Sequence, residues 1–151
     1  MEIKKGKFEI SSSKRFDVID ITPQVEETTN EKGIEDGLAI VTTRHTSAAV
    51  SSNENDKEIL EEYDIEGGLF KDIPDFFSDL VPPEAGYTHD ETHYKKDTQA
   101  NTHAHLLSAM LNQPVIFEVK DGELGLGEWE TVLFMDFDGP RDRKVHVFYL
   151  T

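Results

Sequence analysis

Residues 131–150 read TVLFMDFDGPRDRKVHVFYL, and this stretch decides the fold class. Thr131 to Phe137 and Val145 to Leu150 are runs rich in β-branched and aromatic residues, and Asp138-Gly139-Pro140 between them carries turn chemistry. The stretch predicts two strands and a short connection. Working outward, Val115 to Val119 is a further strand, closed by a turn at Lys120-Asp121-Gly122. At the opposite end of the chain, Met1 to Ile10 and Lys14 to Ile21 alternate with period two, which sets Phe8 with Ile10 and Phe16 with Val18. Ser11-Ser12-Ser13 reads as the turn between them. Leu38 to Val50, rich in Ile, Val and Thr, adds one or two strands.

Helices fall between these ends. Thr22-Pro23 fits an N-cap followed by proline at the first helical position, opening a polar helix to about Lys32 that Gly33 to Gly37 terminates. Glu54 to Glu66 holds seven acids and one lysine around Ile59, Leu60 and Tyr63 at helical spacing. Gly67-Gly68 interrupts it. Phe70, Ile73, Phe76, Phe77 and Leu80 form a second helical piece, which Pro82-Pro83 closes. Glu84 to Gln99 lacks a period and reads as a long loop, a type that often carries function. Asn101 to Leu111 is a further helix. The expectation is a single α+β domain over residues 1–151, with a largely antiparallel, sandwich- or barrel-like sheet and a few helices.

Composition narrows the function. The chain has 151 residues, with 31 Asp plus Glu against 15 Lys plus Arg, a formal net charge of −16. Such a chain repels polyanions, so nucleic acid and anionic membrane surfaces are excluded as expected partners. The only local basic groups are small: Lys4, Lys5 and Lys7 at one end, Arg141, Arg143 and Lys144 at the other. No cysteine is present, which removes thiolate metal sites and thiol nucleophiles. No apolar run resembles a secretory signal or approaches the ~20 residues of a membrane span, so a cytoplasmic location is expected.

Six histidines, at 45, 89, 93, 103, 105 and 146, are the main carriers of chemistry. No HExxH, phosphate-binding glycine loop or GxSxG motif accompanies them. On the helix from Asn101, Leu106, Leu107, Met110 and Leu111 share a face that includes His103. His105 lies roughly 200° from His103 at ~100° per residue, beside Asn101, on a side read as facing away from the core. Alternation around position 45 places Thr43, His45 and Ser47 together, so hydroxyls can orient His45 as a base or ligand, or simply satisfy an interior histidine. Asn53-Glu54-Asn55 follows, where Asn caps the acidic helix and Glu54 is a candidate acid/base group or ligand. His89 adjoins Asp90, with His93 three residues on. Arg141, after the turn, is placed to clamp a phosphate or carboxylate. His146, between Val145 and Val147, is read as structural.

Together these residues resemble a known family. Arg44-His45-Thr46-Ser47-Ala48-Ala49, followed by Asn53-Glu54-Asn55, is similar to the hallmark segment of the YjbQ-type, or secondary thiamine-phosphate synthase-like, family. Val81-Pro82, Tyr87-Thr88-His89-Asp90, Asn101, His105-Leu106, Asp121-Gly122, Leu126-Gly127-Glu128-Trp129 and Phe137-Asp138-Gly139-Pro140-Arg141 match in the family's order. The resemblance implies a small homotrimer with sites near subunit contacts. It implies catalytic roles for His45, Glu54 and His105, substrate binding by Ser47, Asn101 and Arg141, and metal ligation by His45, His89 and His105. The implied activity joins a pyrimidine carried on a pyrophosphate to a thiazole phosphate, releasing pyrophosphate, with a divalent cation such as Mg²⁺ or Zn²⁺ and no organic cofactor. Two other readings stand beside it: a His-site metal-dependent hydrolase or lyase with Glu54 as base, and a non-catalytic trimer that binds a small phosphorylated metabolite or an ion. This chain departs from the family at Gly127-Glu128-Trp129-Glu130, usually Gly-Thr-Trp-Gln, and in an insertion over Ile65 to Phe77. Roles for His93, His103, Glu128 and Glu130 stay open at this level.

Overall fold

The computed structural model describes residues 1–151. In chain order the elements are β1 (Ile3–Ser11), β2 (Asp17–Asp20), α1 (Thr22–Glu31), β3 (Gly37–Thr42), β4 (Ala48–Glu54), α2 (Lys57–Glu62), α3 (Leu69–Leu80), α4 (Asp90–Tyr94), α5 (Thr102–Leu111), β5 (Val115–Lys120), β6 (Glu123–Leu124), β7 (Glu130–Asp136) and β8 (Asp142–Leu150). They form a mixed α+β domain whose strands pair antiparallel throughout. One sheet has the order β1-β8-β3-β5-β6 and the other β2-β7-β4.

The period-two pattern of β7 explains the layering. Val132 and Phe134 enter the core between the two sheets, with Val41, Val147, Tyr149, Ile21 just before α1 and Val25 within it. Leu133 and Met135 point the other way, into a second core with Ala104 and Leu107 of α5 and the α3 side chains Phe70, Ile73 and Phe77. The order is therefore large sheet, core, small sheet, core, helices. Nothing covers the far face of the large sheet, where Ile3, Leu38 and Ile116 are exposed.

Several local expectations change. Residues 43–47 are a loop, not a strand, because β3 and β4 belong to different sheets and this segment crosses between them. Residues 137–141 do the same for β7 and β8, so the short connection in the opening stretch crosses from one sheet to the other. Thr22 does not cap α1; its hydroxyl accepts the Val132 amide instead (2.9 Å). The acidic helix shrinks to α2. Its Asp56 carboxylate accepts the Leu69 amide that opens α3 (2.9 Å), and Gly68 (φ 77) permits this approach, since a Cβ there would collide with Leu60 and Asp56. The long loop contains the short helix α4. On α5 the buried stripe is His103, Ala104, Leu107 and Ser108, while Leu106 and Met110 are exposed. Small Ala104 and Ser108 let the helix approach β4 closely, and Ser108 Oγ donates to the Ala48 carbonyl (3.0 Å). Asn101 is buried rather than solvated.

Candidate functional site

The two crossover loops, the turn after β1 and the start of α5 meet at one end of the sandwich, and a buried polar network fastens them. Arg143 lies in phase with Val145 and Val147 on β8, so its side chain enters the interior. Its Nε and Nη2 donate to Asp136 (2.9 and 2.6 Å), and Nη2 also donates to Ser47 Oγ (3.0 Å). Ser12 Oγ donates to Asp136 Oδ2 (2.6 Å) and accepts the Arg141 amide (2.8 Å). Such a buried pair survives only because its remaining lone pairs and protons are satisfied. Ser47 is thus buried and engaged by Arg143, holding the loop 43–47 in place.

A second layer follows. Asp138 Oδ1 accepts Gln99 (2.9 Å), and Oδ2 accepts both Asn101 Nδ2 (3.1 Å) and Arg141 Nη2 (3.0 Å). Arg141 Nε also donates to the Asp138 carbonyl (2.8 Å), yet its side chain stays 52% exposed. Arg141 and Asn101 are therefore joined through Asp138. Asp136, Asp138 and Arg143 escape the sequence reading, although a charged residue in phase with an apolar strand face on β7 and on β8 is a readable sign of a buried ion pair.

Histidines gather on the rim of this end. Thr43 Oγ1 donates to the Lys144 carbonyl (3.0 Å), while the Lys144 amide donates to His45 Nε2 (2.9 Å). The loop thereby continues the β3–β8 ladder through its side chains. A neutral imidazole offers one ring lone pair, so this bond leaves His45 a donor at Nδ1 and no free acceptor for a cation. His105 is arranged oppositely. Its Nδ1 donates to the Thr46 carbonyl (2.8 Å), which leaves the Nε2 lone pair available. Arg44, His45, Thr46 and His105 line a shallow concavity of about 340 Å³.

Asp90 brings His89 to this rim. Its carboxylate turns inward and accepts the amide and hydroxyl of Thr102 (3.0 and 2.5 Å), tying α4 to the first turn of α5. The His89 ring then lies 5.4 Å from that of His105 and 5.2 Å from that of His93. His93 is itself oriented, with Nδ1 against Thr98 Oγ1 (2.9 Å). As they stand, the donors do not converge into a three-ligand group. His103 lies inside, Nε2 donating to the Phe137 carbonyl (3.2 Å).

Glu54 is elsewhere. It ends β4, six residues beyond Ala48, about 20 Å along the strand from the histidines. There Asp20, Asn55, Lys57, Glu128 and Trp129 line another concavity of about 250 Å³. Glu130 is occupied locally by the Gly127 amide (3.0 Å) and Ser52 Oγ, bonds that hold its carboxyl below the ordinary range. Burial, then Arg143, push the His45 pKa down against the pull of Asp136. Burial, then Arg15, do the same to His103. Burial alone would raise the Asp90 carboxyl, but the two Thr102 bonds together with the nearby His103 and His93 make the net shift downward.

Known proteins share this architecture. A solved hypothetical protein of Aeropyrum pernix K1 superposes with a TM-score of 0.80 at 33% identity, over 97% of this chain and 98% of its own. A UPF0047 protein of Archaeoglobus fulgidus is 38% identical over 138 residues, 91% of this chain and 94% of its own. YugU of Bacillus subtilis, also a UPF0047 protein, is 32% identical over 139 residues, covering 92% and 93%. With residues 6–151 matching the family described as "UPF0047 protein YjbQ-like", the chain belongs to the YjbQ-like UPF0047 family.

Proposed function

We propose that the chain is a transferase of the thiamine-phosphate synthase type, working as a homotrimer on small phosphorylated substrates. The observation that carries this reading is His105, oriented by the Thr46 carbonyl at a concavity that Arg44 also lines, with the His89 ring 5.4 Å away. In the reaction, the C–O bond to pyrophosphate breaks and its electron pair leaves with pyrophosphate. The thiazole nitrogen lone pair forms the new C–N bond. No proton is abstracted from either partner, so the chemistry calls for charge stabilisation rather than a base. That agrees with Glu54 standing far from the histidines within one chain, which counts against the hydrolase reading.

The donor set is consistent with a divalent cation at His89 and His105. The His105 Nδ1–H bond to a carbonyl is the outer-sphere arrangement that fixes a ligating imidazole. Neutral imidazole donors suit Zn²⁺ better than Mg²⁺. Such a cation would supply Lewis-acid stabilisation of the leaving pyrophosphate. His45 serves instead to hold the loop and offer an Nδ1–H, and Arg141 to bind an anionic group while Asp138 and Asn101 keep it in place.

The uncovered sheet face supports trimer formation. The cross-strand pair Ile116 and Ile40, with Leu38, Leu150 and Ile3 beside it, is an apolar surface of the kind that subunit contacts bury. Light scattering should give about 51 kDa, three times the 17.1 kDa chain, and Ile40→Glu should lower it.

The test is direct assay of thiamine-phosphate formation with Zn²⁺ or Mg²⁺. His105→Ala should reduce turnover roughly 100-fold while leaving the fold and the mass unchanged. Absence of product from wild type under both cations, or full activity in His105→Ala, would overturn the reading.

A further inference from the structure

The chain's two small basic groups sit at opposite ends of the sequence, and the β1–β8 pairing lays parts of them side by side. The register sets Lys7 opposite His146 and Glu9 opposite Lys144 on one edge of β8, and Thr42, two residues before Arg44, opposite His146 on the other. At this place lies a concavity of about 490 Å³ lined by Lys5, Lys7, Lys32, Arg44 and His146, with Glu31 its sole carboxylate. On a chain of net charge −16 this is a pronounced local inversion of sign.

None of the four lysine and arginine side chains is paired. The chain's ion pairs are Lys71–Asp75, Arg141–Asp138, Arg143–Asp136 and Lys144–Glu9, and all lie outside this set. Four like charges held together with a single carboxylate among them raise one another's energy, and a bound anion relieves this. His146 reports the resulting field. Burial, followed by Arg44, Lys7 and Lys144, holds its imidazole below the ordinary value. Its ring stacks on Phe148, with centroids 6.5 Å apart and planes 17° from parallel, which fixes it on the sheet surface.

We infer that the concavity between β1, β8 and the end of α1 is an anion site for a phosphate or pyrophosphate group, held by Lys5, Lys7, Lys32 and Arg44. A long polyanion is excluded by the overall charge, whereas a small anion needs only the local field. Arg44 also lines the concavity of His45 and His105. A phosphorylated metabolite anchored here would extend past Arg44 toward His105. The anion site stands without the transferase reaction; only its use as that enzyme's phosphate pocket rests on the reading above.

The test follows the His146 imidazole by NMR while wild-type protein is titrated with pyrophosphate at constant ionic strength. Saturable binding should shift the ring resonances and raise the His146 pKa, because an adjacent anion favours the imidazolium. Lys7→Ala/Arg44→Ala should bind at least roughly tenfold more weakly and, without ligand, melt no lower than wild type. If that variant does not fold, Lys32→Ala and the wild-type titration decide. His105→Ala should bind pyrophosphate as wild type does, so failure of the transferase reading leaves this site standing. A response matched by sodium chloride, no rise in the His146 pKa, or undiminished affinity in the variants would overturn the assignment. A loss of trimer mass in Lys7→Ala/Arg44→Ala without any pyrophosphate response in wild type would overturn it too, by making the cluster a subunit contact.

Discussion

Arg141 and Arg143 lie two residues apart, and each pairs with an aspartate, Asp138 in the crossover loop and Asp136 at the end of β7, yet they do different work. The Arg143–Asp136 pair is 5% and 0% exposed, while in the Arg141–Asp138 pair the arginine is 52% exposed. The same chemistry is structural where water is excluded and available to a ligand where it is not. Burial is the deciding variable, because an enclosed charge left alone has no water to solvate it.

The comparison breaks most visibly at Arg143. Arg143→Met should cost about 3–5 kcal/mol, since Asp136 is left buried without its cation. Urea denaturation measures this, and Arg143→Met/Asp136→Leu should recover much of the loss by removing both charges. Arg141→Met should cost less, about 1–3 kcal/mol, because the guanidinium it removes is half exposed and Asp138, itself only 2% exposed, keeps its bonds from Gln99 and Asn101. Equal losses at 141 and 143 would defeat the burial argument.

Acid sharpens the same contrast between inside and outside. His45, His103 and His146 are held below the ordinary 6.5 when folded, so the unfolded chain binds protons first. Stability should be full above that value and fall as pH drops through it toward the lowered folded values. The urea midpoint should therefore decrease between about pH 7 and pH 5. His103→Asn should flatten the fall, because burial holds the His103 imidazole down in the folded chain. A midpoint constant over this range would contradict the assignment. The smallest effect is expected at Lys71→Ala, whose partner Asp75 and own side chain are both well exposed; its urea midpoint should match wild type.

Much of the architecture was legible in the residues. Strand segments at both ends, the helix after Asn101, the glycine break at Gly67-Gly68 and the stop at Pro82-Pro83 follow from period and turn chemistry, which act within a few residues. Family membership was legible too, through ordered motifs spread over nearly the whole chain. The faces of α5 were misjudged because small residues, not the largest apolar ones, set the contact with β4. The loop around His45 was misjudged because a Thr- and Val-rich run looks the same whether it continues a sheet or crosses between two. Arg143 passed unnoticed among exposed basic neighbours, though its phase with Val145 and Val147 marked it.

The sequence by itself determined the α+β class, the family and the identity of the polar groups, because hydrophobic period and local turn preferences are properties of neighbouring residues. Only the tertiary structure decided which polar groups meet. Asp136 finds Arg143 and Ser47, His105 finds Thr46 and His89, and Lys7 finds His146, because sheet register and crossover loops join residues distant in the chain. The same placement decides whether water reaches each group, and so which charges fasten the fold and which remain free to bind.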